Sequence, residues 1–183
     1  MAHITAIGAG VYSALAINTT PITNLSAVDT LAELVSLFAA PASFSEIKNV
    51  REFPPMGTPA NIVNVPVYGQ KTTSQIQGQA DAPSMEMTIN YVPADWASTA
   101  PLGMLVGDGR VYAFQFSLLN SRPAGLSSAV GPTGLGSVPN SNFYFAGKVE
   151  AILVTPQLTD ANQATLTLTV IGDFFGPATV NAT

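Results

Sequence analysis

Hydrophobic and polar positions alternate most cleanly at Ser84–Val92, where Met85, Met87, Ile89 and Tyr91 fall on one face and Ser84, Glu86, Thr88 and Asn90 on the other. A period of two is the signature of a half-buried β-strand. The same period recurs at Arg110–Leu119, with Tyr112, Phe114, Phe116 and Leu118 against Ala113, Gln115 and Ser117. At Gln163–Phe174, Ala164, Leu166, Leu168 and Val170 alternate with Gln163, Thr165, Thr167 and Thr169. Asn142–Thr155 predicts a further strand, with Phe143, Phe145, Val149 and Leu153 on one side and Tyr144, Lys148 and Glu150 on the other. Two more strands are expected at about Phe44–Glu52 and Asn61–Tyr68, separated by a Pro/Gly turn over Phe53–Pro59.

Helical spacing appears at Ser26–Ala39. Val28, Leu31, Val35 and Phe38 recur at intervals of three and four, Ser26 and Asp29 have capping-box spacing, and Pro41 stops the run. Residues Met1–Pro21 read as an N-terminal arm in which Val11–Ile17 could form a strand. Trp96, Leu102, Met104 and Leu105 are expected to cover one end of the core, and Gly107-Asp108-Gly109 marks a turn. Two polar stretches lack an apolar period: Gly69–Pro83, and Ser121–Ser141 with four glycines and three prolines. Together these elements predict a mainly β fold: an antiparallel β-sandwich or partly open barrel flanked by one α-helix. The expected organisation is an arm and helix over residues 1–43, a β-sandwich domain over 44–177 and a short tail over 178–183.

Composition changes what such a fold is for. Charged residues make up 9% of the 183-residue chain, against about 25% in an average soluble domain. Its surface is therefore either rich in Ser, Thr, Asn and Gln, as in a secreted protein, or hidden in an assembly. The N-terminus lacks the basic start and clear cleavage site of a signal peptide, which favours assembly. The net charge of −5 and six scattered basic residues argue against binding nucleic acid by phosphate neutralisation. No apolar run approaches the length of a membrane span.

Candidate chemistry is sparse. Cysteine is absent and His3 is the only histidine, so Ser-His-Asp and Cys-His sets fail on residue count. A lone histidine makes no metal site, and His3 reads as a solvated terminal residue. The eleven carboxylates show no spacing that forces a pair together. The expectation is a non-enzyme with no cofactor or metal, whose chemistry is self-association.

One family resemblance rests on a run of segments. A strand ending in IKNVREFPP is followed by a strand ending in VPVYG and a Thr/Gln-rich loop closing on QGQADAPSMEMTINYVP. Then come a short helical segment, GDGRVYAFQF, FYFAGKVEAILVT and QATLTLTVIGDFFGP. In this order they resemble the tail tube proteins of long-tailed bacteriophages, the lambda-like group in particular, over Phe44–Pro177. The chain departs from that pattern in the helix Ser26–Ala39, the expanded loop Ser121–Ser141 and the lack of a C-terminal immunoglobulin-like domain.

The resemblance implies a virion tail protein, made in the host cytoplasm, whose six copies form a ring. The rings stack into a hollow tube through which DNA passes transiently and without sequence preference. It implies tape measure, tail tip and tail terminator proteins as partners besides the chain itself, and no membrane. Four strands per copy would close a wall of twenty-four, roughly 50 Å across at about 4.8 Å spacing and 45° tilt.

On that footing the lumen-facing candidates are Glu86, Thr88, Gln115, Lys148, Glu150, Thr165 and Thr167. The ring-stacking candidates, all within Gly69–Pro83, are Gln70, Lys71, Thr72, Thr73, Gln75, Gln77, Gln79 and Asp81. Two alternatives stand beside it. One is a ring or tube protein of a contractile injection or type VI secretion system. The other is a secreted β-sandwich adhesin or carbohydrate-binding module, which the missing signal peptide and the lack of an aromatic platform disfavour.

Overall fold

The alternation at Ser84–Asn90 and Gln163–Ala178 builds the two strands that anchor one wall. Met85, Met87 and Ile89 are buried opposite Leu168, Leu166 and Ala164, while the residues between them stay exposed or half-buried. A computed structural model describes residues 3–5, 10–38, 44–57, 62–78, 84–121 and 139–179. In it the strands are β1 (Ala14–Asn18), β2 (Phe44–Ile47), β3 (Val50–Glu52), β4 (Ile62–Val65), β5 (Ser74–Gln77), β6 (Ser84–Asn90), β7 (Tyr112–Leu119), β8 (Asn140–Thr155) and β9 (Gln163–Ala178). The helix α1 spans Leu31–Leu37.

Seven strands form one antiparallel sheet in the order β2-β1-β7-β8-β9-β6-β3. Its two outermost strands are consecutive in the chain. Only Lys48 and Asn49 separate β2 from β3, and Asn49 turns the corner in the left-handed region at φ 61°. Three Cα–Cα steps span at most about 11 Å, so the sheet must curl until its ends nearly meet. The mainly β, nearly closed antiparallel barrel with one helix is the fold class the sequence pattern predicts.

The curled sheet encloses the main core. Leu15 and Ile17 of β1, Tyr112, Phe114 and Phe116 of β7, and Leu166 and Leu168 of β9 all point into it. Phe114, Phe145, Phe174 and Phe143 form a column of rings with successive centroids 5.0, 5.2 and 5.6 Å apart. Leu102 and Leu105 close one end, with Trp96 packed beside them. Met104 departs from expectation and stays 62% exposed. Gly103 lies so close to the Ala97 backbone that a Cβ there would sit 2.1 Å from the Ala97 carbonyl oxygen.

The helix covers the opposite face of one half of the sheet. Leu34, Phe38 and Val28 bury Ala14, Ala16, Ala113, Leu119 and Tyr144. The helix is shorter than its periodicity suggests. Its cap is Thr30, whose hydroxyl accepts from the Glu33 N–H while the Glu33 carboxylate accepts from the Thr30 N–H. The Ser26–Asp29 stretch instead holds a 3-10 turn, Leu25–Ala27, capped by Asn24. At the other end, the buried Asn18 donates to the Leu37 carbonyl at 2.6 Å, satisfying an acceptor that the last helical turn leaves open. Strand β1 is thus an integral, fully buried member of the sheet and no loose arm.

Candidate assembly surfaces

Strands β8 and β9 are each 16 residues long and run through both halves of the barrel. β7 pairs with β8 only from Asn140 to Gly147, while β6 pairs with β9 only from Gln163 to Thr169. The sheet therefore divides into two layers around the core. One layer is β2-β1-β7 with the first half of β8, and α1 covers its outer face. The other is the second half of β8, the first half of β9, β6 and β3. Among the described residues nothing covers the outer face of this four-strand layer.

Register places its polar side chains in rows. Glu86 lies opposite Thr167, and Thr88 opposite Thr165; Thr169 sits between Ser84 and Lys148. Glu86 and Glu150 are exposed, and Thr88, Lys148, Thr165 and Thr167 half-buried. Six of the seven candidates read from alternation thus share one surface.

Gln115 does not join them. It belongs to β7 beneath the helix-covered layer, is 1% exposed, and its amide donates to Ser117 Oγ at 3.2 Å and Asn142 Oδ1 at 3.4 Å. Alternation identified its face correctly and could not show that a helix packs over that part of the face. Conversely, Ser84, Asn90, Gln163 and Thr169 belong to the open face by register, and the period-two signal that found Thr165 extends to them.

Leu153 is a second correction. Strict alternation puts it on the core side with Val149, yet it is 63% exposed. The register slips between Val149 and Ala151, so Glu150 is an extra residue that reverses the alternation. Ile152 then packs on the core and Leu153 lies beside Thr165 on the open face.

Both ends of the four-strand layer expose backbone. Past Gly147, β8 receives one bond on its β7 side, from the Gly107 N–H to the Val149 carbonyl at 2.9 Å. Among the described residues no strand accompanies Glu150–Thr155 there. Among the described residues β3 pairs with β6 alone. Such unpaired edges are templates for another strand. Near one of them, Arg51 Nη1 donates to Asp160 Oδ2 at 2.8 Å, and this guanidinium holds the Asp160 carboxyl below the usual carboxylate range.

The second surface is a hairpin. The sequence pattern predicts a loop over residues 69–83, but Ser74–Gln77 forms β5 and pairs with β4, Ile62 opposite Gln77 and Val65 opposite Ser74. Its strand signal is four residues long and rich in Gln, too short and too polar for the period to register. Gln70, Lys71, Thr72 and Thr73 occupy the tip, Gln75 and Gln77 lie on β5, and all six are exposed. Gln79 and Asp81 lie outside the described residues, as does most of Ser121–Ser141. Val63, Val65 and Ile76 share one side of the hairpin, and Val63 and Ile76 are 43% and 55% exposed.

Among the described residues, no three His, Cys, Asp or Glu side chains group to hold a metal ion, and no helix is long and apolar enough to cross a membrane. His3 is exposed, with its Nδ1 3.3 Å from Ser141 Oγ.

No protein family matches this chain in sequence, and no curated protein does. In three dimensions it is similar to a chain from the cryo-electron-microscopy structure of the anti-feeding prophage baseplate, six-fold symmetrised. The TM-score is 0.52, at 10% sequence identity, over 96% of this chain and 97% of that one. At that identity the likeness concerns the fold.

Proposed function

We propose that this protein is a structural subunit of a phage-tail-type assembly, forming rings that stack into a hollow tube for DNA passage. The observation that carries this reading is the four-strand layer with an uncovered polar face and an unpaired edge at each end. Because every neighbour in it is antiparallel, β8 and β3 run in opposite directions. Copies placed side by side would set β3 of one against β8 of the next, again antiparallel, so the wall continues round a ring without a fault. Closure removes both edges. The open face, with Glu86, Thr88, Lys148, Glu150, Thr165 and Thr167, then lines the bore, and the β4–β5 hairpin reaches the adjoining ring. The low charge content fits a surface that assembly hides.

A second reading shares the same surfaces: a ring protein in the tube or baseplate of a contractile injection system. The fold likeness to a baseplate chain favours it. Negative-stain electron microscopy with light scattering on the purified chain tests the common core of both. Rings or hollow tubes are expected. A protein that stays monomeric at high concentration and with a tail tip present overturns it. Co-sedimentation of tubes with a sheath protein then separates the contractile from the non-contractile system.

A further inference from the structure

The hairpin and one groove on the body of the molecule are complementary. The groove, of about 260 Å³, opens between the 3-10 turn before α1 and the kink in β9. Leu25, Val28, Ala146, Ile171 and Phe175 supply apolar walls, and Asp29 and Asp173 bring two carboxylates with no cation among the lining residues. The kink arises because Ala146 pairs with Ile171 but Tyr144 with Phe175, which pushes Gly172 and Asp173 out of register; Gly172 takes φ 82°.

The hairpin tip presents the opposite chemistry. The Gln70 N–H bonds to the Val67 carbonyl at 3.3 Å, and Gly69 at φ 84° closes the turn. That turn leaves the Tyr68 side chain fully exposed beside the half-exposed Val67. Lys71 is the only charged residue between Ile62 and Gly78. An isolated two-stranded hairpin is marginal in water, so one with a bare apolar side needs a surface to rest on.

We infer that the groove is a docking site for the hairpin tip of a second copy of this chain. Tyr68 inserts between Leu25 and Phe175, and Lys71 reaches Asp29 and Asp173. An aromatic anchor in an apolar pocket with charges at its rim is the usual composition of an interface hot spot. The inference rests on the stacking-ring reading above and specifies which two surfaces join successive rings.

Four variants test it, each checked for an unchanged thermal melt: Tyr68→Ala, Lys71→Glu, the pair Asp29→Lys with Asp173→Lys, and that pair combined with Lys71→Glu. The first three should leave rings intact while the concentration needed for tubes rises at least about tenfold, and the combined reversal should recover tubes. Because the chain has no cysteine, Gln70→Cys with Leu25→Cys should cross-link copies through a short bis-maleimide in tubes, with either cysteine alone silent. Wild-type tubes without this cross-link, or Tyr68→Ala tubes at the wild-type concentration, overturn the docking and leave the ring reading standing. A wild-type chain that forms neither rings nor tubes overturns both.

Discussion

Tyr112 shows how one side chain couples the core to a turn. Its ring lies in the core and its hydroxyl donates to the Asp108 carboxylate, whose other oxygen accepts from the Arg110 N–H at 2.9 Å. Burial, then the Asp108 contact, push its phenol up to about 12 from 10. The folded state therefore holds this proton more tightly than the unfolded chain does. The stabilisation is complete below pH 10 and is lost as pH rises towards about 12. Tyr112→Phe should reduce the fall in stability across that window, read as denaturant midpoints at successive pH values; identical slopes would remove Tyr112 from the account. Burial also pushes the Tyr144 phenol up, so part of the alkaline loss should survive in the variant. At the other end of the same scale, Thr30 caps α1 through its hydroxyl. Thr30→Ala should cost about 1 kcal/mol with an unchanged denaturant slope.

Elements differ in how openly the sequence declares them. In β6 and the first half of β9 one face meets the core and the other meets no element among the described residues, so alternation of Met, Ile and Leu with Thr and Glu survives intact. β7 is buried on both faces, and its second face uses Ala113, Gln115 and Ser117 because small residues and paired amides fit beneath a helix. Nothing local distinguishes that from a wetted face. β8 hides its bulge for a related reason: an extra residue is invisible until the partner strand supplies a register. The helix is legible as an apolar stripe, and its start is obscured because that stripe runs back to Val28 and Ser26–Asp29 shares the capping spacing; Thr30–Glu33, which has the Glu a capping box uses, is the pair that forms. Phe38 is the sharpest probe of that packing. It is 4% exposed and its ring sits 5.7 Å from that of Tyr144. Phe38→Ala should cost about 3–5 kcal/mol and free α1 from the sheet, seen as a lowered melting temperature with accelerated amide exchange in β1 and β7. A loss confined to the helix, with the sheet unchanged, would show that the helix is an accessory to a self-sufficient barrel.

At the scale of the whole molecule the two faces of one curled sheet have divided the work. The inner face and the helix-covered face take up the aromatic and aliphatic residues. The open face of the four-strand layer keeps threonines, three exposed glutamates (Glu52, Glu86 and Glu150) and one lysine, in a chain of net charge −5. If copies close into a tube around that face, its charge decides how DNA moves through. A bore that carries more carboxylate than ammonium repels phosphate, and threonine hydroxyls offer no fixed cation on which a duplex would stall. Replacing Glu86→Lys and Glu150→Lys inverts the sign of the face without touching the core, since both side chains are exposed. Wild-type tubes should not retain a short DNA duplex. The double variant should form tubes of the same diameter that retain it at low salt and release it as salt rises, because displaced counterions drive such binding. Retention by the wild type would mean that repulsion is not how this surface works. Variant tubes that retain no DNA at any salt would place the face elsewhere than the bore, and the four-strand layer would then have to present its polar rows to the outside of the assembly.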